Sequence, residues 1–375
     1  MVLDVANNRA WIEINLHNLV YNIDKIKDIL PRGTNIMAVV KADAYGHGMA
    51  RVALKLEKID INFFAVASLE EGITLRKNGV KGNILILGYT HYDYLHYVLE
   101  YDLIQTIVDY DYALQIEKIS LPSPLKVHLK INTGMNRLGE SYKNISNILD
   151  IYAMKNLKVL GIFTHLCVAD SLSKSDTIFT RRQINNFNKV VAAIKEKKLD
   201  VGKVHIQSSY GLLNYNDLKY DYVRLGIIMY GTDSVYNMET RRKLYLKPVL
   251  SLKARITSVR TINPKESVGY GRSYEAKNTV KIASVSIGYA DGLPRNLSGT
   301  NMSVLVNGHL CKIVGRVCMD QITIDVSSID VTSGDIVSLI DSDFVPATKM
   351  AEFSSSITNE ILSRLGSRLE RIYLD

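Results

Sequence analysis

Between residues 35 and 226, short apolar runs rich in β-branched residues alternate with stretches in which apolar positions return every three or four residues. The runs are NIMAVVK (35–41), NFFAVAS (62–68), NILILG (83–88), LIQTIVD (103–109), LKVHLKI (125–131), KVLGIFTH (158–165), KVHIQSS (203–209) and DYVRLG (221–226). In the stretch 16–30, Leu16, Leu19, Ile23, Ile26 and Leu30 share one helical face, and 180–198 repeats the pattern ahead of the seventh run. Eight strand–helix alternations of this length predict a parallel (β/α)8 barrel, with an open doubly wound sheet as the alternative. After residue 245 the period changes. Six short β-type runs, from ARITSVRTI to DIVSLID, are separated by turn residues, and the next long amphipathic helix is predicted at MAEFSSSITNEILSRL (350–365). The expected organisation is a barrel over 10–240 and a mostly β domain over 241–375, with the N-terminal segment 1–14 as a candidate addition to the second.

Composition narrows the function classes. The chain has 375 residues, 47% hydrophobic and 22% charged, within the globular range. Cys167, Cys311 and Cys318 form no CxxC pair, which argues against a disulfide framework or a zinc site and for a reducing, cytoplasmic setting. No metal site is expected. The net charge of +8 is dispersed among acidic residues, and a cluster such as KEKK (195–198) is too short to mark a nucleic-acid surface. No apolar run reaches membrane-span length and the start lacks the order of a signal peptide, so no membrane contact is expected of this chain.

Barrel chemistry gathers at the C-terminal strand ends. Here the runs close on Lys41, on Lys130 with Asn132, on Thr164 and His165, on Ser208 and Ser209, and on Arg224 with Gly226. Singly, each has a plainer explanation: a solvated lysine, a hydrogen-bonded core histidine, a helix-capping serine, an edge arginine held by a carboxylate. Together they supply an amine, an imidazole, a hydroxyl pair, a guanidinium and a glycine turn at one rim. Pyridoxal phosphate uses all of these, bonding a lysine as a Schiff base and resting its phosphate on hydroxyls and backbone N–H groups. No glycine-rich dinucleotide fingerprint competes for the role.

The motifs AVVKADAYGHG, HLKINTGMNRLG, GIFTHL, VRLGIIMYG, VGYGRSY, SIGYADGLPR and IVGRVCMDQ resemble, in order, those of the bacterial alanine racemases. The resemblance implies a (β/α)8 barrel followed by a β domain, a pyridoxal 5′-phosphate cofactor, an amino-acid substrate and a homodimer with shared active sites. It makes Lys41 the Schiff-base lysine and one catalytic base, and Tyr270 of a second copy the other. His165 would lie against the cofactor ring and orient Tyr270 through a hydrogen-bond chain that includes Arg224. Tyr45, Ser209, Gly226 and Ile227 would hold the phosphate. Arg137 and Met319 would meet the substrate carboxylate, Met319 again from the second copy, and Tyr289 would line the entrance.

Lys130 matches a lysine that is carbamylated in many members, although Asn132 stands where those members have aspartate. Asn359, in ITNEIL, stands where most alanine racemases have a tyrosine that narrows the pocket. That departure resembles the racemase domain of the membrane-bound serine racemases of vancomycin-resistant enterococci. It implies a serine and alanine substrate and a transmembrane part preceding residue 1 in the full-length protein. A plain helix-capping role for Asn359, and with it an ordinary alanine racemase, is the alternative. A non-catalytic cofactor carrier lacks the second domain and has no use for Tyr270. A related decarboxylase would carry a Cys–Glu pair that is not found.

Overall fold

The computed structural model describes residues 8–341 and 344–375; residues 1–7 of the N-terminal segment lie outside the described residues. The first strand, β1 (Ala10–Asn15), stands apart from the barrel. The eight apolar runs then form β2 (Asn35–Val39), β3 (Phe63–Val66), β4 (Asn83–Ile86), β5 (Ile104–Ile107), β6 (Leu125–Asn132), β8 (Leu157–Phe163), β9 (Lys203–His205) and β10 (Tyr222–Leu225), with the two-residue β7 (Glu140–Ser141) pairing on the end of β6. All eight run parallel. β10 lies beside β2 with Arg224 opposite Met37, and β5 pairs with β6 with Gln105 opposite Val127, so the ring closes and the open-sheet alternative fails.

Alternation along the strands sorts two cores. Met37, Val39, Phe63, Ala65, Leu85 and Ile104 pack as a cluster of their own along the barrel axis, while Ile36, Ala38, Phe64 and Ile84 face the helices. On the other side of the ring, buried polar groups project from the strands: His128 and Lys130 on β6, His205 on β9, Arg224 on β10. One half of the barrel interior is therefore oil and the other half is basic.

The second domain contains β11 (Leu250–Ile262), β12 (Ser267–Val268), β13 (Tyr274–Glu275), β14 (Val280–Val285), β15 (Ser303–Val306), β16 (His309–Val314), β17 (Ile322–Asp325), β18 (Ile336–Ile340) and β19 (Glu370–Leu374). β11, β14, β17, β16, β15 and β18 close a second, antiparallel ring because the long β11 pairs with β14 along one half and with β18 along the other. β1 adds to β11 with Ile12 opposite Leu252, and β19 adds to β1. β12 and β13 form a separate hairpin with Tyr270 in its turn.

The helix expected over 180–198 runs instead from Lys174 to Glu196, and the other two predicted helices also differ. The first ends at Lys27, so Leu30 falls in the following turn. The single helix expected at 350–365 is two, Ala347–Phe353 and Thr358–Ser363. Ser354 Oγ donates to the carbonyls of Met350 and Ala351, and Ser355 takes a left-handed φ of 52°, which ends the first helix.

Candidate active site

A cavity of about 560 Å³ opens at the C-terminal face of the barrel. Lys41, Tyr45, Lys130, Arg137, His165, Ser209, Arg224, Gly226, Ile227 and Asn359 all line it, brought from five different strand ends and from the second domain's last helix. A more polar cavity of about 830 Å³ on the second domain, beside Tyr289, Arg295 and Glu360, holds none of these groups, so size alone does not mark the site.

Lys41 sits where β2 turns over. Ala42, Asp43, Ala44 and Tyr45 all adopt left-handed φ near 53°, a turn that costs non-glycine residues about 1–2 kcal/mol each. Fixed partners hold it. Glu71 accepts from the backbone N–H of Ala42 and Ala67, both at 2.7 Å, and Asp43 Oδ1 accepts from Met49 N–H at 2.8 Å. The turn ends at Gly46, where a Cβ would fall 2.2 Å from the Leu362 carbonyl oxygen. Burial, with Arg137 nearby, lowers the Lys41 ammonium below its ordinary value, against the pull of Glu71. The amine is thereby closer to its nucleophilic form.

Arg224 is 4% exposed and surrounded by acceptors. Nη1 donates to the His205 carbonyl at 2.9 Å and ring Nδ1 at 2.8 Å, and Nη2 to the carbonyls of Thr164 at 2.7 Å and Ile206 at 3.1 Å and to His165 Nδ1 at 3.2 Å. A guanidinium only donates, so both rings must accept on Nδ1. His205 then carries its proton on Nε2 and donates to His128 Nδ1 at 2.8 Å. His165 carries its proton on Nε2, which has no hydrogen-bond partner among the described residues. Burial, reinforced by Arg224, holds His165 and His128 down to about 3, so both are neutral at physiological pH. Burial also lowers Arg224 to about 9, still above neutrality, and its cation persists over the Phe163 ring at 5.2 Å.

Lys130 is 6% exposed with no hydrogen bond or ion pair among the described residues. Burial, and then Arg137, Arg224 and Lys41, bring its ammonium down to about 8. Asn132 accepts on Oδ1 from the N–H of Gly134 and Asn136 and donates to Asn136 Oδ1, closing the loop that carries Arg137.

At the opposite wall Ser209 Oγ accepts from Gly226 N–H at 3.2 Å, and a Cβ on Gly226 would come within 2.6 Å of the Tyr45 hydroxyl. Only glycine leaves this cradle open. Ile357, not Asn359, is the N-cap of the last helix, so the capping alternative for Asn359 fails; its Oδ1 is buried without a partner among the described residues. Amine, basic wall and hydroxyl-lined cradle around one cavity fit a cofactor with an aldehyde, a ring and a phosphate.

Tyr270, Met319 and Tyr289 do not line this cavity; they stand on the second domain, 72%, 53% and 39% exposed. Tyr289 N–H donates to the Cys318 carbonyl and Ala290 N–H to that of Met319, so the loops bearing Tyr289 and Met319 are tied together. Buried Asp291 anchors them through Arg9 at 2.6 Å and Gly288 N–H at 3.0 Å.

The N-terminal domain model of alanine racemases matches residues 14–234 and the C-terminal domain model residues 249–373. The chain belongs to the alanine racemase family. Enzymes of this family depend on pyridoxal phosphate. An amino-acid racemase of Enterococcus faecalis is 43% identical over 96% of this chain, and the serine/alanine racemase of Enterococcus gallinarum 39% over 96%; in both the match spans only 51% of the relative. The chain spans about half the length of these curated relatives. Against the solved alanine racemase of Clostridium difficile 630 it covers 98% of itself and 96% of that chain, at 34% identity and a TM-score of 0.92. Among the described residues no helix is long and apolar enough to cross a membrane.

Glu71, His128 and His205 were not singled out from the sequence. Glu71 was hidden by SLEE (68–71), the pattern of a capping box; Ser68 does cap the helix, but the glutamate is diverted to Ala42. His128 carried a signal, since in LKVHLKI it precedes Lys130 by two and shares its face.

Proposed function

We propose that the chain is a pyridoxal-phosphate-dependent racemase that interconverts the enantiomers of serine as well as alanine, working as a homodimer. When bound, pyridoxal phosphate stabilises the negative charge left on the α-carbon once its proton is removed. Lys41 would hold the aldehyde end; Tyr45, Ser209 and the N–H groups of Gly226 and Ile227 the phosphate; His165 the ring face; Arg224 the pyridine nitrogen. A guanidinium keeps its proton, so Arg224 leaves that nitrogen unprotonated and moderates the electron withdrawal.

Racemisation needs an acid/base group on each face of the α-carbon. Lys41 serves one and Tyr270 of a second copy the other. The exposure of Tyr270, Met319 and Tyr289 on the second domain, away from their own cavity, supports a site completed in trans. Arg137 and Met319 of the second copy meet the substrate carboxylate. Lys130, basic, buried and without an anion among the described residues, has the amine reactivity and the electrostatic need for a carbamate that would steady Arg137.

The observation that carries the serine reading is Asn359, with a buried Oδ1 at the cavity wall that has no partner among the described residues. A serine hydroxyl buried without a partner costs about 1–3 kcal/mol, and an amide offers both donor and acceptor. The serine/alanine racemase name of the Enterococcus gallinarum relative points the same way. D-Serine so made would enter a peptidoglycan precursor that vancomycin binds poorly.

Specificity constants for both amino acids, in wild type and in Asn359→Tyr, test this. The substitution should shift the serine-to-alanine ratio toward alanine by roughly five- to 150-fold. An unchanged ratio leaves an ordinary alanine racemase.

A further inference from the structure

The left-handed turn after β2 carries two of the proposed cofactor anchors, Lys41 and Tyr45, yet its φ values are those alanine, aspartate and tyrosine disfavour. Something outside local propensity must hold its far end. The ring of His47, wholly buried, places Nδ1 2.9 Å from the carbonyl oxygens of both Ala44 and Tyr45, the last two residues of the turn. Two carbonyls can only accept, so Nδ1 carries the proton and shares it between them. His47 Nε2 has no hydrogen-bond partner among the described residues. The imidazole is thus used through one nitrogen.

The other face of the ring is also fixed. It stacks on Tyr230 with centroids 4.3 Å apart and planes at 26°, and the Tyr230 hydroxyl donates to the carbonyl of Val39 at 3.0 Å. Val39 ends the strand that leads into Lys41, and the Tyr45 ring lies 5.2 Å from Tyr230. His47 and Tyr230 therefore clamp the segment at both ends, before Lys41 and after Tyr45. Arg371 adds a third hold by donating to the Gly46 carbonyl at 3.2 Å. Burial lowers the imidazole to about 4, so it stays neutral and keeps one tautomer at physiological pH.

We propose that His47 is the positioning residue for Lys41 and Tyr45, its shared Nδ1–H pinning the left-handed turn that presents both side chains to the cavity. The inference rests on reading those two residues as cofactor anchors. Three variants of the full chain separate the hydrogen bond from bulk: His47→Asn, which keeps a donor at the Nδ1 position; His47→Gln, whose amide reaches the Nε2 position instead; and His47→Leu, which has none.

Hydrogen exchange of peptides spanning residues 40–49 is measured on cofactor-free protein, and release of pyridoxal phosphate is followed by its visible absorption on the holoenzyme. His47→Leu should raise both rates by about tenfold, with His47→Asn within about threefold of wild type. If the leucine protein does not fold, His47→Gln takes its place with the same expected contrast to asparagine. Equal behaviour of asparagine and the comparison variant, or wild-type exchange in both, overturns the proposal. A wild-type holoenzyme without the lysine-bound absorption band would instead overturn the anchor reading, while the exchange comparison still decides the role of His47.

Discussion

The barrel cavity and the outer face of the second domain carry opposite kinds of functional residue. Around the cavity, Lys41, Lys130, His165 and Arg224 have their protonation shifted by burial, and Lys130 and His165 also by the cations of the others. On the second domain Tyr270, Met319 and Tyr289 face outward. A basic, desolvated pocket lowers the cost of negative charge, but it holds only one proposed proton carrier. The second proposed proton carrier, Tyr270, stands outside that pocket. In the proposed dimer these would be two half-sites, one chain's barrel supplying the electrostatics and another chain's outer face the second base.

The largest effect expected from breaking this division is on the barrel side. Lys41→Ala should lower turnover by roughly 10³-fold or more, since it removes the proposed acid/base group and the proposed covalent anchor together. Spectroscopy checks it: an unchanged lysine-bound absorption band in the variant would show that another residue holds the cofactor.

Next is the split between chains. Tyr270→Phe should impair the two directions unequally, because solvent deuterium still enters through Lys41 on one face. Mixing Lys41→Ala with Tyr270→Phe protein should recover about a quarter of wild-type activity, as half the dimers are hybrids and each hybrid has one intact site. No recovery after subunit exchange would place both residues in one chain's site.

Smaller effects sharpen the electrostatics of the barrel. In the unfolded chain imidazoles protonate near 6.5, whereas His128 and His165 stay neutral down to about 3 and His47 to about 4. From pH 6.5 down to about 4 the unfolded state binds more protons, so stability falls with pH by about 1.4 kcal/mol per unit for each imidazole. Denaturant titrations across that window should show it, with His47→Asn losing its share; equal slopes would mean that His47 titrates alike in both states.

The smallest signal is that of Lys130. Its folded value near 8 lies below the unfolded 10.5, so cofactor-free protein should gain stability as pH rises between them. Bicarbonate should flatten that gain if the amine becomes a carbamate, and ¹³C-labelled bicarbonate should give a protein carbonyl resonance. An unaltered slope and no resonance would dispose of carbamylation.

Much of this was legible in the sequence because local pattern carries it. Six of the eight barrel strands fall within the predicted runs and β6 and β8 overrun theirs by one residue, since a strand buried on both faces needs a nearly continuous apolar stretch. The break at Ser354–Ser356 was not legible: the apolar period runs through it, and only serine side chains turning back on Met350 and Ala351 stop the helix. β1 pairs with β11 some 240 positions away, Ala10 opposite Ala254, and such a register leaves no local trace.

The sequence by itself determined the alternation that makes a barrel, the change of texture that makes a second domain, and the types and order of the polar residues at the strand ends. These follow from side-chain period and chemistry, which are properties of neighbours along the chain. Only the tertiary structure decided which groups share a low-dielectric space. It joined Arg224 to His165 and His205, set Glu71 on the Lys41 turn, left Asn359 Oδ1 at the cavity wall without a partner among the described residues, and turned Tyr270 outward. The reason is that charge state, tautomer and hydrogen-bond satisfaction depend on distance through space and on exclusion of water, and neither is written in the order of residues.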